Sequence, residues 1–204
     1  DVERSRGLGD VYKRQRGDIV KANAMLDEAG FKKDSDGVRL KGVLDIIPYG
    51  EDWRRAGEYL KQVMGDIGIS LELRYEDVPT WLKRVYHRYD FQMNVNYFYQ
   101  LPDPVLGVHR HYGTDQIRKG THFVNSSRYS NPTLDQLLDS GAGEPDAAKR
   151  TAAYNEIQQI LANDMPVVNL FELEFLVVYN NKLKGAYGSA MGAYGSFREA
   201  YLDD

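Results

Sequence analysis

The chain has 204 residues, of which 42% are hydrophobic and 27% are charged, as is ordinary for a globular protein. Its net charge of −4 argues against a nucleic-acid-binding surface, so no nucleic-acid partner is expected. The absence of cysteine excludes disulfides, thiolate nucleophiles and cysteine-based zinc sites.

The N-terminal part of the chain alternates between predicted helices and strands. Residues 1–16 have no periodicity and no apolar signal-peptide core, and we interpret them as a non-native or disordered leader. Asp18 is a good N-cap and Gly30 a good terminator for a first helix. Apolar spacing then predicts strands at 39–47, 69–75 and 91–98, and helices at 51–67 and 79–89.

This strand–helix–strand order predicts an α/β fold with parallel strands and right-handed crossovers. Ligands of such sheets bind outside the carboxyl ends of the strands. That rule indicates two candidate regions, residues 48–50 and 99–104.

The second half begins with a weak pattern at 105–128, which predicts a loop containing one short helix. Asn131 before Pro132 predicts a capped helix that ends at the glycines near 141–143. Asp146 caps the next helix, which stops at residues 164–166. Apolar residues 167–171 predict a strand, to which residues 174–179 can pair.

We divide the chain into the leader, an α/β ligand-binding lobe at 17–130, and residues 131–184, a helical pair with returning strands of the same lobe or hinge. Residues 185–204 carry two Gly-Ala-Tyr-Gly-Ser copies and form a Gly/Tyr-rich C-terminal segment. Two copies are too few for a repeat architecture.

Several motifs resemble those of the extracytoplasmic solute-binding proteins of peptide-, opine- and nickel-type ABC importers, bacterial family 5. The stretch 129–166 is similar to a Y-x-N-P-x-(L/V)-D-x-L-L helix, a D-x-x-x-R-x-x-x-Y helix and a D-x-P break. Further matches are the Leu-Asp-Glu-Ala-Gly-Phe element at 26–31, the helix and strand at 58–69, the strand beginning Tyr-Asp-Phe at 89–91, and Asp103-Pro104.

The resemblance implies the C-terminal lobe of a two-lobed, type II periplasmic-binding-protein-like fold, incomplete without its N-terminal lobe. It implies that the lobes close on a small-molecule or oligopeptide ligand and then dock on ABC permease subunits in the membrane. It also implies a periplasmic protein or cell-surface lipoprotein, monomeric when full length, that has no cofactor and is not an enzyme.

The resemblance also indicates where ligand binds. Peptide-binding members place an aspartate a few residues before Asp-Pro, and the matching position here is Gln100, which cannot neutralise an ammonium group. Opines, oligosaccharides and modified peptides therefore become as plausible as peptides. We expect ligand contacts from Tyr97, Phe98, Tyr99 and Gln100, and for Asp103 either a ligand contact or, the favoured role, a helix cap.

Three alternatives come from the residues themselves. His109 and His111, with His122 nearby, would suit a metal if they lay on a strand, but no carboxylate or cysteine set accompanies them, so no metal site is assigned. Glu172 and Glu174 would share a face of a strand, as glycosidase carboxylates do, but alternation with Leu173 already explains them. The chain can also be a stand-alone α/β interaction domain that has lost the ligand cleft.

Overall fold

The computed structural model describes residues 18–99, 101, 103–173, 177–186 and 195–203. These residues form two compact units, one of residues 18–85 and 90–96, the other of residues 86–89 and those from 97 onward. The fold is mixed α/β. The sequence-based boundaries at residues 16, 130 and 184 stay predictions.

The first unit is built on a three-stranded parallel sheet. Its strands are β1 (Leu40–Ile46), β2 (Ile69–Tyr75) and β3 (Met93–Val95), in the order β2-β1-β3. Leu40 pairs with Ile69, and Leu44 pairs with Met93, both in parallel register. The predicted parallel arrangement is therefore confirmed.

Among the residues that the structure describes, three α-helices accompany this sheet: α1 (Ile19–Glu28), α2 (Glu51–Asp66) and α3 (Val78–Leu82). Asp18 caps α1 by accepting a hydrogen bond from the backbone N–H of Lys21, as predicted. The apolar stripe of α2 packs on the sheet, because its large side chains recur every three or four residues. The resulting core contains Leu44, Ile46, Leu71 and Val95, with Trp53, Leu60 and Met64 of α2 against it.

Two predicted elements of this region differ from the structure. The helix expected at 79–89 begins as α3 and continues as a π-helix, Lys83–Arg88, which leaves both Val85 and Tyr86 fully buried. The strand expected at 91–98 covers only Met93–Val95. It ends there because its partner β1 ends at Ile46, and a strand without a neighbour has no ladder to extend.

A charged network lies on the sheet of the first unit. Asp45 of β1 is fully buried and accepts a hydrogen bond from Nη2 of Arg74 at 3.0 Å. Arg84 lies 3.8 Å from Asp45 and binds Glu76 through two nitrogens. Burial raises the pKa of Asp45, whereas the hydrogen bond from Arg84 lowers the pKa of Glu76. The network supplies the partners that a buried carboxylate needs.

The second unit is mainly helical. It contains α4 (Pro104–Tyr112), a 3₁₀ turn (Thr114–Gln116), α5 (Pro132–Gly143), α6 (Ala147–Asp164), and the short antiparallel strands β4 (Leu183–Lys184) and β5 (Tyr201–Leu202). Its core consists of Tyr112, Leu134, Leu138, Tyr154 and Ile157.

The predicted caps of the helical pair are confirmed. Asn131 accepts hydrogen bonds from the N–H groups of Thr133 and Leu134 at the start of α5. Asp146 accepts one from Lys149 at the start of α6. The chain leaves α6 at Met165, which has a left-handed backbone conformation with φ 43°.

The strand predicted at 167–171 does not form, and Val168, Leu170 and Phe171 are exposed. A strand requires a hydrogen-bonding neighbour, and within the described residues none pairs with this run. Residues 174–176, the predicted partner's first half, lie outside the described residues. Most of the Gly/Tyr repeat, 187–194, also lies outside them.

Candidate functional site

The described residues predicted to contact ligand, Tyr97, Phe98, Tyr99 and Asp103, follow β3 and precede α4, outside any strand or helix. The rings of Tyr97 and Tyr99 meet edge to face, with centroids 5.5 Å apart. Phe98 instead lies against the ring of His111, at a centroid distance of 3.7 Å. Because β3 already ends at Val95, the three rings lie two to four residues beyond the strand's carboxyl end rather than at its last residues. Gln100 lies outside the described residues.

Asp103 has two structural partners. Its Oδ1 accepts a hydrogen bond from the N–H of Val105 at 2.9 Å, which caps α4. The same oxygen accepts a second bond from Nη2 of Arg150 at 2.7 Å. The bond from Val105, followed by that from Arg150, lowers the pKa of Asp103. The predicted capping role is therefore confirmed, and the carboxylate stays charged near neutral pH.

A cleft of about 330 Å³ adjoins this ion pair in the second unit. Its lining consists of Pro104 and the α6 residues Ala147, Arg150, Thr151, Tyr154, Asn155 and Gln158. The Tyr154 hydroxyl lies 3.2 Å from Nε2 of His109, whose pKa is lowered by burial. The amide and hydroxyl groups of this lining can form hydrogen bonds with a polar solute or a protein surface, and the ring of Tyr154 offers an apolar contact.

The histidines of the H-x-H pair do not converge. They lie on α4 rather than on a strand, and residues two positions apart on a helix point in different directions. His109 reaches Tyr154, whereas His111 is buried against Phe98 with its pKa lowered to about 3 by burial. Among the described residues, no group of three His, Cys, Asp or Glu side chains is arranged to hold a metal ion.

His122 has a partner that the sequence pattern did not indicate. Its Nε2 atom lies 3.0 Å from Nε2 of His87, 35 residues earlier in the chain. Arg150 and Tyr154 were noted only as motif residues, although their spacing of four positions on a helix already places them on one face. Of the glutamate pair, Glu172 is exposed and Glu174 lies outside the described residues.

Comparison with known proteins defines the class of this chain. The model of the bacterial extracellular solute-binding proteins, family 5 Middle, matches residues 5–118, more than half of the chain. The chain therefore belongs to this family, which is a family of solute-binding proteins. Within the described ranges, none of the helices has the length and apolar character that crossing a membrane requires.

Particular relatives agree with this assignment. The chain is 27% identical to Protein XP55 of Streptomyces lividans over 173 residues, which are 82% of this chain and 31% of the relative. It is 25% identical over 163 residues to the probable D,D-dipeptide-binding periplasmic protein DdpA of Escherichia coli, covering 78% of this chain and 31% of that protein.

Among solved structures, the mannohexaose-bound periplasmic oligopeptide-binding protein of an oligopeptide ABC transporter from Thermotoga maritima matches with a TM-score of 0.61 at 25% identity. The match covers 73% of this chain and 30% of that protein. The fold is therefore part of a periplasmic-binding-protein-like fold, and the chain spans about a third of the length of these relatives.

Proposed function

We propose that this chain is part of an extracytoplasmic solute-binding protein that captures a peptide-like, opine-like or sugar-like solute by lobe closure and delivers it to ABC permease subunits. The observation that carries this proposal is the family match over residues 5–118. The names of two relatives support the peptide-like and sugar-like part of this range, since one is a probable D,D-dipeptide-binding protein and another is bound to mannohexaose.

Within this chain, Tyr97 and Tyr99 are the side chains that we assign to the solute. Tyr99 is exposed and Tyr97 is half-buried, so both present ring surface to a ligand. A tyrosine ring stacks on a peptide group or a sugar face, and its hydroxyl adds a hydrogen bond. Their mutual edge-to-face contact orients the two rings before a ligand arrives, which reduces the entropy lost on binding.

Phe98 has a different role in this proposal. Its ring lies on buried His111, so it anchors the segment to α4 rather than contacting ligand. The two tyrosines contact each other, whereas the phenylalanine between them contacts His111.

The charges around the segment argue against strict recognition of a free peptide amino terminus. Asp103 already accepts hydrogen bonds from Val105 and Arg150, and Gln100 carries no charge. A ligand ammonium group would have to displace Arg150 to reach Asp103. We therefore expect an N-acetylated peptide to bind about as well as the free peptide.

Saturation-transfer NMR on the 204-residue chain tests these assignments, because it detects binding even at millimolar dissociation constants. The panel contains a tripeptide, its N-acetylated form, an opine and mannohexaose. We expect at least one solute to bind, and Tyr99→Ala to weaken it. The matched control is Tyr59→Ala, since Tyr59 is an exposed tyrosine of α2.

Three results would contradict the proposal. Binding of none of the four solutes by a folded, monodisperse chain favours the interaction-domain hypothesis instead. Equal loss of binding in Tyr99→Ala and Tyr59→Ala removes the assignment of Tyr99. A strong preference for the free peptide over its N-acetylated form shows that an amino-terminal site exists.

The delivery step is also open to test. We propose that the whole protein is exported to the periplasm or the cell surface, does no chemistry and acts as a monomer. Cross-linking of the protein in cells should recover ABC permease subunits encoded near its gene. Recovery of cytoplasmic proteins alone would contradict this localisation.

A further inference from the structure

We propose that His87 and His122 form a binding site for a divalent transition-metal ion. The Nε2 atoms of the two rings lie 3.0 Å apart, and both rings are exposed to solvent. His87 lies at the end of the π-helix and His122 lies in the segment after the 3₁₀ turn. Both belong to the second unit.

The distance suits two ligands of one ion. Imidazole nitrogens bind zinc at about 2.0–2.1 Å, so two of them around one ion stand about 2.9 Å apart at a right angle and about 3.3 Å apart in a tetrahedron. The observed 3.0 Å lies between these values. Ring centroids 5.2 Å apart also fit the wider, tetrahedral arrangement after a shift of a few tenths of an ångström.

Two neutral imidazole rings can bind a metal ion without releasing a proton to the solvent. The two Nε2 atoms lie at hydrogen-bond distance, and the ring tautomers decide which of them donates. Metal binding requires that both Nε2 lone pairs be available, so the donor ring moves its proton from Nε2 to Nδ1. The metal ion then replaces the direct contact between the two Nε2 atoms.

The surrounding contacts hold the two segments together. Gly120 donates its N–H to the carbonyl oxygen of Tyr86 at 2.8 Å. The ring of Tyr86 is fully buried and packs on both His122 and Phe123, with centroids 5.8 and 5.7 Å away. Because residues adjacent to both histidines are fixed in this way, little ordering remains to be done when the ion binds.

The donor set determines which ion binds. Within the described part of the chain, no third His, Cys, Asp or Glu completes a metal-binding group, so water fills the remaining positions. Two imidazoles favour copper over nickel and zinc, and give no appreciable site for magnesium or calcium. We expect a dissociation constant on the order of micromolar for zinc, far weaker than that of a closed structural site.

The chain between the two histidines includes Tyr97, Tyr99 and Asp103, which the solute proposal uses. The metal site does not depend on the solute proposal, because it is defined by two side chains that the solute proposal does not use.

Isothermal titration of the 204-residue chain with zinc chloride, and with copper(II) chloride, tests the site. We expect one equivalent of zinc to bind, with a loss of about tenfold or more in His87→Gln or His122→Gln, because one imidazole alone has no chelate advantage. The matched control is His109→Gln, which leaves the pair intact. Equal affinity in all four proteins, or no binding at millimolar zinc, overturns the proposal.

A second measurement uses the unaltered chain, so it does not depend on variants that fold. The chain has four histidines, and their ring signals can be followed individually by proton NMR once assigned through single His→Gln variants. Zinc should shift the ring signals of His87 and His122 and leave those of His109 and His111 in place. Shifts confined to His109 and His111 overturn the proposal, as does an affinity for magnesium equal to that for zinc.

Discussion

The hydroxyl of Tyr129 donates a hydrogen bond to Oδ2 of Asp164, which lies 35 residues further along the chain. The side chain of Asn131 donates to the same oxygen at 3.1 Å. These three residues are the Tyr, the Asn and the Asp of the two separate sequence motifs Y-x-N-P and D-x-P. The two motifs are therefore physically linked in this chain, since together they join the start of α5 to the end of α6.

This relationship predicts the effect of removing the hydroxyl. Tyr129→Phe should lower the free energy of unfolding by about 1 kcal/mol, the usual net contribution of one hydrogen bond. Asp164→Asn should lower the free energy of unfolding by a similar amount. The double variant should lower it by less than the sum of the two single changes. Urea unfolding measures all three, with Tyr59→Phe as the control because Tyr59 is exposed. Strict additivity would show that the two side chains do not interact in solution.

The ion pair of Asp103 with Arg150 leads to a second prediction. Asp103→Ala removes both the cap of α4 and the ion pair, so it should lower the urea midpoint more than Asp103→Asn, which keeps a capping oxygen. The difference between wild type and Asp103→Asn, which reflects the ion pair, should shrink in high salt, whereas the difference between the two variants, which reflects the cap, should not. A control is Asp18→Ala, which removes the cap of α1 and has no ion pair to lose in the described contacts.

The same pair has a defined pH dependence. The folded pKa of Asp103 is lowered, so its contribution to stability is present above the ordinary value of 3.8 and is lost as the pH falls through the folded pKa. The difference between wild type and Asp103→Asn should therefore be constant from pH 7 to pH 5 and disappear in stronger acid. A difference that already disappears near pH 6 would contradict this assignment.

His111 gives a third prediction, in a higher pH range. Burial lowers its pKa from 6.5 to about 3, so the unfolded chain binds a proton that the folded chain does not. Stability from this group is fully present above pH 6.5 and is lost as the pH falls toward the folded pKa. Between pH 6 and pH 4.5 the free energy of unfolding should fall by up to about 1.4 kcal/mol per pH unit from this group alone.

His111→Phe removes the titrating group and keeps an aromatic ring against Phe98. Its free energy of unfolding should therefore depend less on pH in this range, whatever its stability at pH 7. Leu106→Ala, an exposed position on the same helix, should retain the wild-type slope. Equal slopes in wild type and His111→Phe would show that the ring is not buried in a neutral form.

The elements that could be predicted from sequence are those with local causes. Asp18, Asn131 and Asp146 were identified as caps because a capping side chain bonds to an N–H group two or three residues away. The helix α2 and the strand β2 were predicted almost to the residue, since an apolar stripe or an alternation over many residues is unambiguous.

The elements that could not be predicted depend on distant partners. The end of β3 is set by the end of β1, and the run 167–171 is apolar like a strand but has no neighbour among the described residues. In the candidate site, the capping role of Asp103 could be predicted because its partner lies two residues away. No local pattern indicates that Phe98 contacts His111 or that His87 contacts His122. Such contacts arise from the path of the chain between them.

A fourth prediction concerns Gly57 and Gly65 of α2. Helix propensity alone predicts the same gain from alanine at both positions. A Cβ on Gly57 would lie 2.6 Å from Cδ1 of Ile46, which is buried in the sheet core, whereas a Cβ on Gly65 would meet nothing within 4 Å. Alanine is favoured over glycine in a helix by about 1 kcal/mol, so Gly65→Ala should raise the melting temperature. In Gly57→Ala the overpacking penalty of about 1–3 kcal/mol exceeds this gain, so the melting temperature should fall. Thermal unfolding followed by circular dichroism distinguishes the two variants, and an increase in both would show that Ile46 has room to move.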